Sequence, residues 1–206
     1  RAVEPDEFTV AHPADPFHPG RVGQRRRPGI ELAGGDGDVN RIDSGTTGVV
    51  ILAKNAFIHE ALQKQQETGR LLKEYLAIVE GNAPSNGEVN APIAKIPAPT
   101  IARQVSNEGQ QAITRFTRLQ SRNGLSLLLL QPITGRTHQI RVHMAHIGLP
   151  LLGDWLYGTE RADITRPALH CHKMSIDHPI TKERLAFAAP IPADFKRFFP
   201  SADTQR

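Results

Sequence analysis

The sequence predicts an α/β (α+β) fold: a mixed, mainly antiparallel sheet with flanking helices. Three observations lead there. Segments with strand periodicity outnumber those with helical periodicity, most neighbouring strands are joined by short turns, and an Asn-Gly pair at Asn123-Gly124 marks a hairpin. A doubly wound parallel sheet would instead need a helix between each pair of strands.

Taken in order, residues 4–10 hold a short β-like patch, Phe8-Thr9-Val10, and His12 to Gly37 is dominated by Pro, Gly and charge, the composition of loop. Regular structure begins at Val49–Ala53, an apolar run short enough for a buried strand. Asn55 is placed to cap a helix from Ala56 to about Glu67, with Ile58 and Leu62 on its inner face and Gly69 as its stop. From Leu71 to Glu80 the period is two, with Tyr75, Ala77 and Val79 on one face and Leu76 and Ile78 on the other. Gly81 to Pro99, with four prolines, reads as a long turn-rich connection. Strands at Ala112–Leu119 and Leu125–Leu130 flank the Asn-Gly turn. A helix from about Arg136 or Thr137 to Ile147 stops at Gly148 and Pro150. On that helix Ile140, Met144 and Ile147 should face the core, while Gln139, His143 and His146 share another strip. Late strands at Leu169–Ile176 and Leu185–Ala188 close the pattern.

Composition narrows the classes of function. The chain has 206 residues, 39% of them apolar, so it is long enough to bury its own core. No run approaches the roughly 18 apolar residues of a membrane span, and the first residues lack a basic-then-apolar leader; a soluble, unexported protein is expected. The one cysteine, Cys171, can form neither an internal disulfide nor a multi-thiolate zinc site, which suits a reducing cytoplasm. Lys and Arg number 25 against 21 Asp and Glu, and residues 1–45 hold 6 basic and 8 acidic residues, so the basic excess lies downstream. Such an excess is compatible with a polyanionic partner without requiring one.

Three polar segments go beyond what a core needs. Asn40–Gly48 sets an acid and an arginine before the buried strand; it serves equally as an Asx-turn that starts the strand or as a rigid platform for Asp43. Lys73-Glu74-Tyr75 places an aromatic in a strand, either as packing or as a surface for a base and a hydroxyl for proton handling. Pro132–Met144 runs from strand to helix N-terminus, where unpaired N–H groups beside Arg136 suit a carboxylate or phosphate, or a solvated basic helix face. No Walker lysine follows the glycines near Asp43. His138 and His143 lie five apart, a spacing that does not align two ligands on a helix, and no metal is expected.

In combination these segments resemble the RluA-type family of RNA pseudouridine synthases. Asn40-Arg41-Ile42-Asp43-Ser44-Gly45-Thr46-Thr47-Gly48 is similar to its His-Arg-Leu-Asp-x-x-Thr-Ser-Gly motif, with Asn40, Ile42 and Thr47 as the departures. Lys73-Glu74-Tyr75 and Val79-Glu80-Gly81 follow, Thr134–His143 stands unaltered, and Gly148–Asp154, Tyr157, Leu169-His170-Cys171 and Leu185–Pro192 agree in order. Upstream, Phe8–Asp15 is an echo of the family's Asn-Lys-Pro-x-Gly strand with His12 in place of the lysine, and no S4-type module is seen in that stretch. The resemblance implies the pseudouridine synthase fold over residues 40–199, with a loop-rich segment at 1–39 and a tail at 200–206. It implies isomerisation of a uridine in rRNA or tRNA without metal or organic cofactor, by a cytoplasmic monomer. Its alternative is an RNA-binding relative that keeps the pocket but does not turn over. By the same resemblance Asp43 is the essential carboxylate, Arg136 pairs with it, and Tyr75 stacks on the base. Arg41, Lys73, His138 and Arg141 meet RNA or hold the active loop.

Overall fold

The computed structural model describes residues 8–11, 39–40 and 42–201, the first four as backbone only. Among them a central sheet runs in the order β11 (Arg184–Ala188), β10 (Leu169–Asp177), β4 (Leu72–Glu80), β9 (Leu125–Pro132), β8 (Ile113–Arg122), β5 (Asn86–Asn90), every neighbouring pair antiparallel. The short β2 (Thr47–Gly48) joins β10 in parallel. Two small sheets complete the fold: β1 (Phe8–Ala11) with β3 (Val50–Ala53), and β6 (Ile93–Lys95) with β7 (Arg103–Val105). The mainly antiparallel α+β architecture therefore matches the expectation from sequence.

The alternation in β4 organises the core. Tyr75, Ala77 and Val79 bury into a cluster with Ile58 and Leu62 of α1 (Ala56–Glu67) and Ile140 and Met144 of α2 (Gln139–His146). Leu76 and Ile78 bury on the opposite face, with Phe195 of α3 (Ala193–Phe198) and Phe199. Each fully buried Leu, Ile or Phe of these layers contributes about 1.5–3 kcal/mol. Helix α1 starts where expected, because the Asn55 side chain accepts from the Ile58 N–H at 2.9 Å. The β8–β9 hairpin turns on Asn123 and Gly124, with φ of 52° and 74°, the conformation that a two-residue turn matching strand twist requires.

Two expectations are corrected. The stretch 81–99 is not simply a connection: β5 and β6 lie within it, and pairing to β8 and β7 overrides its Pro-rich composition. On α2 the polar strip is solvated only at its end: Gln139 and His143 are buried with partners of their own while His146 is exposed, and Ile147, expected in the core, is 38% exposed where the helix ends. No helix among the described residues is long and apolar enough to cross a membrane.

Candidate active site

A cleft of about 210 Å³ opens where the turn before β2, the start of β4 and the loop between β9 and α2 converge. Asp43, Tyr75, Arg136 and Lys73 line it. Three segments far apart in sequence thus meet on one face of the sheet.

The turn of Asp43 is fixed at both ends. Asn40 is buried, accepts from the Ile51 N–H at 2.8 Å and donates to the Val49 carbonyl, which ties the approach to the strand it precedes. Thr46 N–H closes the turn on the Asp43 carbonyl at 3.0 Å. Beyond it β2 lies against β10, with Val49 N–H on the Cys171 carbonyl at 2.9 Å and Thr47 Oγ1 beside His170 Nδ1 at 2.9 Å. The approach is so close that a Cβ on Gly48 would fall 2.1 Å from the Cys171 oxygen, so glycine is required there.

Tyr75 stands opposite Cys171 in the β4–β10 register. Burial raises the tyrosine pKa well above 10, and Cys171 and the Asp43 charge push the same way, so its hydroxyl keeps its proton at neutral pH. Burial also holds the Cys171 thiol at about 12, an inert packing group. Lys73 donates from Nζ to Gln66 Oε1 at 2.6 Å, and its desolvation lowers its pKa from the ordinary 10.5.

The third wall is held by one carboxamide. Gln139 Oε1 accepts from Arg136 N–H at 2.9 Å and from the Thr134 hydroxyl at 2.7 Å, while Nε2 donates to the Ile113 carbonyl and to Thr114 Oγ1, each at 3.0 Å. Behind it, fully buried His143 contacts Thr114 Oγ1 through Nδ1 and the Ala91 carbonyl through Nε2, each at 2.9 Å. A carbonyl only accepts, so the pattern assigns the proton to Nε2 and has the Thr114 hydroxyl donate to Nδ1. Every polar atom along this chain has a defined direction. Burial lowers the His143 pKa from 6.5, which favours that neutral form.

Several expected roles move. Among the described residues no ion pair joins Arg136 to Asp43. With its backbone N–H fixed by Gln139, Arg136 instead donates from Nε to the Gln111 carbonyl at 3.0 Å. Arg141, expected to meet RNA, is 2% exposed and forks onto fully buried Asp154 through Nε and Nη2, both at 2.7 Å, beneath Trp155 and Tyr157. It lies under the site, not on a phosphate-facing rim. His138 adopts a left-handed φ of 57° and meets Tyr157 Oη at 2.8 Å, and the same oxygen accepts from Arg103 N–H at 2.8 Å. Burial lowers the His138 pKa although the Asp43 charge opposes this. Arg41 lies outside the described residues. Gln66 was not singled out from the sequence; its signal was the three-residue spacing from Gln63, which also lines the cleft.

The match to known proteins covers the same segments. Residues 37–146 fit the model of the RNA pseudouridylate synthase family. The uncharacterised RNA pseudouridine synthase YjbO of Bacillus subtilis (strain 168) is 42% identical over 160 residues, 77% of this chain and 56% of the relative. The ribosomal large subunit pseudouridine synthase D of Haemophilus ducreyi is 37% identical over 182 residues, 82% of this chain and 56% of the relative. Among solved structures, human RNA pseudouridylate synthase domain containing 1 superposes with a TM-score of 0.67 at 25% identity, covering 81% of this chain and 71% of that one. The chain spans about half the length of the curated relatives it matches. By motif order, family match and fold, the chain belongs to the RNA pseudouridylate synthase family, in its RluA-type branch.

Proposed function

We propose that this chain isomerises uridine to pseudouridine in RNA. The observation that carries the reading is the convergence of Asp43, Tyr75 and Arg136 on one cleft, each within a segment that resembles a family motif. In the reaction the N1–C1′ bond breaks, the uracil turns, C5 bonds to C1′, the C5 proton leaves and N1 takes up a proton, so substrate and product are isomers. Asp43 acts either as nucleophile or as the base that takes the ribose 2′ proton; both need an ionised carboxylate at the reacting sugar. Tyr75 offers a ring face to the uracil and a hydroxyl whose proton burial retains. Arg136, on the cleft wall just before the N-terminus of α2, supplies positive charge where a phosphate of the target nucleotide would be met. Lys73, with its ammonium at the cleft, and also His138 and Arg41 are assigned to RNA contact or to holding the loop.

A paired uridine cannot reach a recessed carboxylate, so the target nucleotide flips out at a cost of a few kcal/mol. The basic excess of residues 46–206 supports phosphate attraction that weakens with salt. The substrate we assign is rRNA or tRNA, modified in the cytoplasm by a monomer that uses no metal or organic cofactor. The test is tritium release from RNA carrying [5-³H]uridine, with pseudouridine identified in the digest. Wild-type protein should release tritium, and Asp43→Asn should release none while retaining fold and RNA binding. Release by Asp43→Asn near the wild-type rate would sink the assignment.

A further inference from the structure

The turn that carries Asp43 is gripped from behind by residues beyond the stretch that the family model matches. Arg166, 6% exposed, donates from Nε and Nη2 to the two carboxylate oxygens of Asp194 on α3, both at 2.9 Å. Its remaining nitrogen, Nη1, is shared among the carbonyls of Gly45 at 3.2 Å, Pro167 at 3.1 Å and Leu169 at 3.1 Å. The Phe195 ring lies 5.6 Å from the guanidinium carbon and closes that side. Gly45 is the residue that makes the contact possible. Its φ is +85°, and a Cβ there would stand 3.1 Å from Pro167 Cδ and 3.4 Å from Arg166 Cβ, so the turn sits directly against the Arg166 and Pro167 side chains.

We propose that Arg166 is a positioning residue for Asp43 and that Asp194 aims it. A planar guanidinium held by two parallel bonds to one carboxylate has its third nitrogen fixed in direction, which a lysine ammonium cannot reproduce. That nitrogen grips the Gly45 carbonyl, two residues from Asp43, inside the turn that Thr46 N–H closes. Leu169, whose carbonyl shares the same nitrogen, lines the cleft, so one cation references both the acid and a wall of its pocket to helix α3. Burial lowers the Arg166 pKa from its ordinary value, and Asp194 counters that. A reacting group displaced by about 1 Å can lose on the order of 10²-fold in rate. The catalytic part of this proposal rests on the role of Asp43 proposed above; the mechanical part does not.

The experiment separates the two. In Arg166→Lys, amide exchange followed by NMR should be at least about tenfold faster at Thr46, while Ala77 and Leu128 in the central sheet keep their wild-type rates. Tritium release from [5-³H]uridine RNA should fall at least about tenfold in kcat with KM within about threefold, since a displaced acid slows chemistry more than RNA binding. If Arg166→Lys gives no cooperative melt, Asp194→Asn takes its place with the same expectations. Unchanged Thr46 exchange in a folded variant overturns the clamp. Faster exchange with kcat within twofold of wild type overturns its bearing on Asp43. Should wild type release no tritium, the functional reading fails while the exchange data still decide the clamp.

Discussion

Replacing Asp154 by alanine should cost more stability than almost any other single change outside the hydrophobic layers. The carboxylate is fully buried and accepts four hydrogen bonds: from Arg141 Nε and Nη2 at 2.7 Å each, from Leu156 N–H at 3.0 Å and from Tyr157 N–H at 3.2 Å. Its removal leaves a guanidinium that is 2% exposed with no counter-charge, and breaking a buried pair from one side costs about 3–5 kcal/mol. The two orphaned amides add to this, though not additively. At about 2–4 °C per kcal/mol for a domain of this size, the melting temperature should fall by about 6–20 °C. Thermal and urea unfolding of Asp154→Ala, Arg141→Met and the double variant provide the assay. The double variant should be less destabilised than the sum of the singles, because it leaves no lone buried charge. RNA affinity measured from low to moderate salt supplies the second arm: a guanidinium on a phosphate contributes about 0.9 to the slope of log K against log salt, and a buried one contributes nothing. A loss below about 1 kcal/mol for Asp154→Ala, or a slope reduced by about one in Arg141→Met, would refute the placement of Arg141 beneath the site.

Tyr75→Phe keeps the ring and removes the hydroxyl; turnover should fall by about 10²–10⁴-fold with KM unchanged if the hydroxyl, protonated at neutral pH, donates or relays a proton at the uracil, and wild-type turnover would remove it from the chemistry. Gly48→Ala should destabilise the protein by at least about 2 kcal/mol in urea unfolding, since its φ of +110° and a Cβ 2.1 Å from the Cys171 oxygen cannot both be kept; a neutral result would mean that β2 does not lie on β10. His138 and His143 have folded pKa values lowered from 6.5 chiefly by burial, so the unfolded chain binds their protons more readily. Their contribution to stability is complete above pH 6.5 and is lost as the pH falls through the lowered folded values. Imidazole titration by NMR should give midpoints below 6.5 for both, and a midpoint above it for either would contradict the assigned burial.

Where one segment determines its own geometry, the sequence is transparent. The alternation of β4, the Asn55 cap and the Asn123-Gly124 turn depend on neighbours within a few residues, and all three stand as expected. Strands β5, β6 and β7 are five residues or shorter and owe their existence to partners, and the Pro-rich composition of 81–99 hides the first two. The same distinction runs through the site. Periodicity correctly places Gln139 and His143 on one strip of α2 and says nothing of what faces that strip. Thr114, 25 and 29 residues away, and Ala91, 52 residues away, convert a polar face into a buried hydrogen-bond chain. Arg141 is the sharper instance: by type and position it is a cation on a basic helix, and only Asp154 turns it inward. A motif therefore reports which side chains share a region, while their division between chemistry and support depends on which polar atoms are already satisfied by the protein. Arg141 has its fork filled by Asp154, and Gln139 has both ends of its amide occupied. By that criterion these two are supports, whereas Arg136 of the same motif, bound through one side-chain nitrogen at the cleft wall, keeps hydrogen-bonding capacity for a substrate.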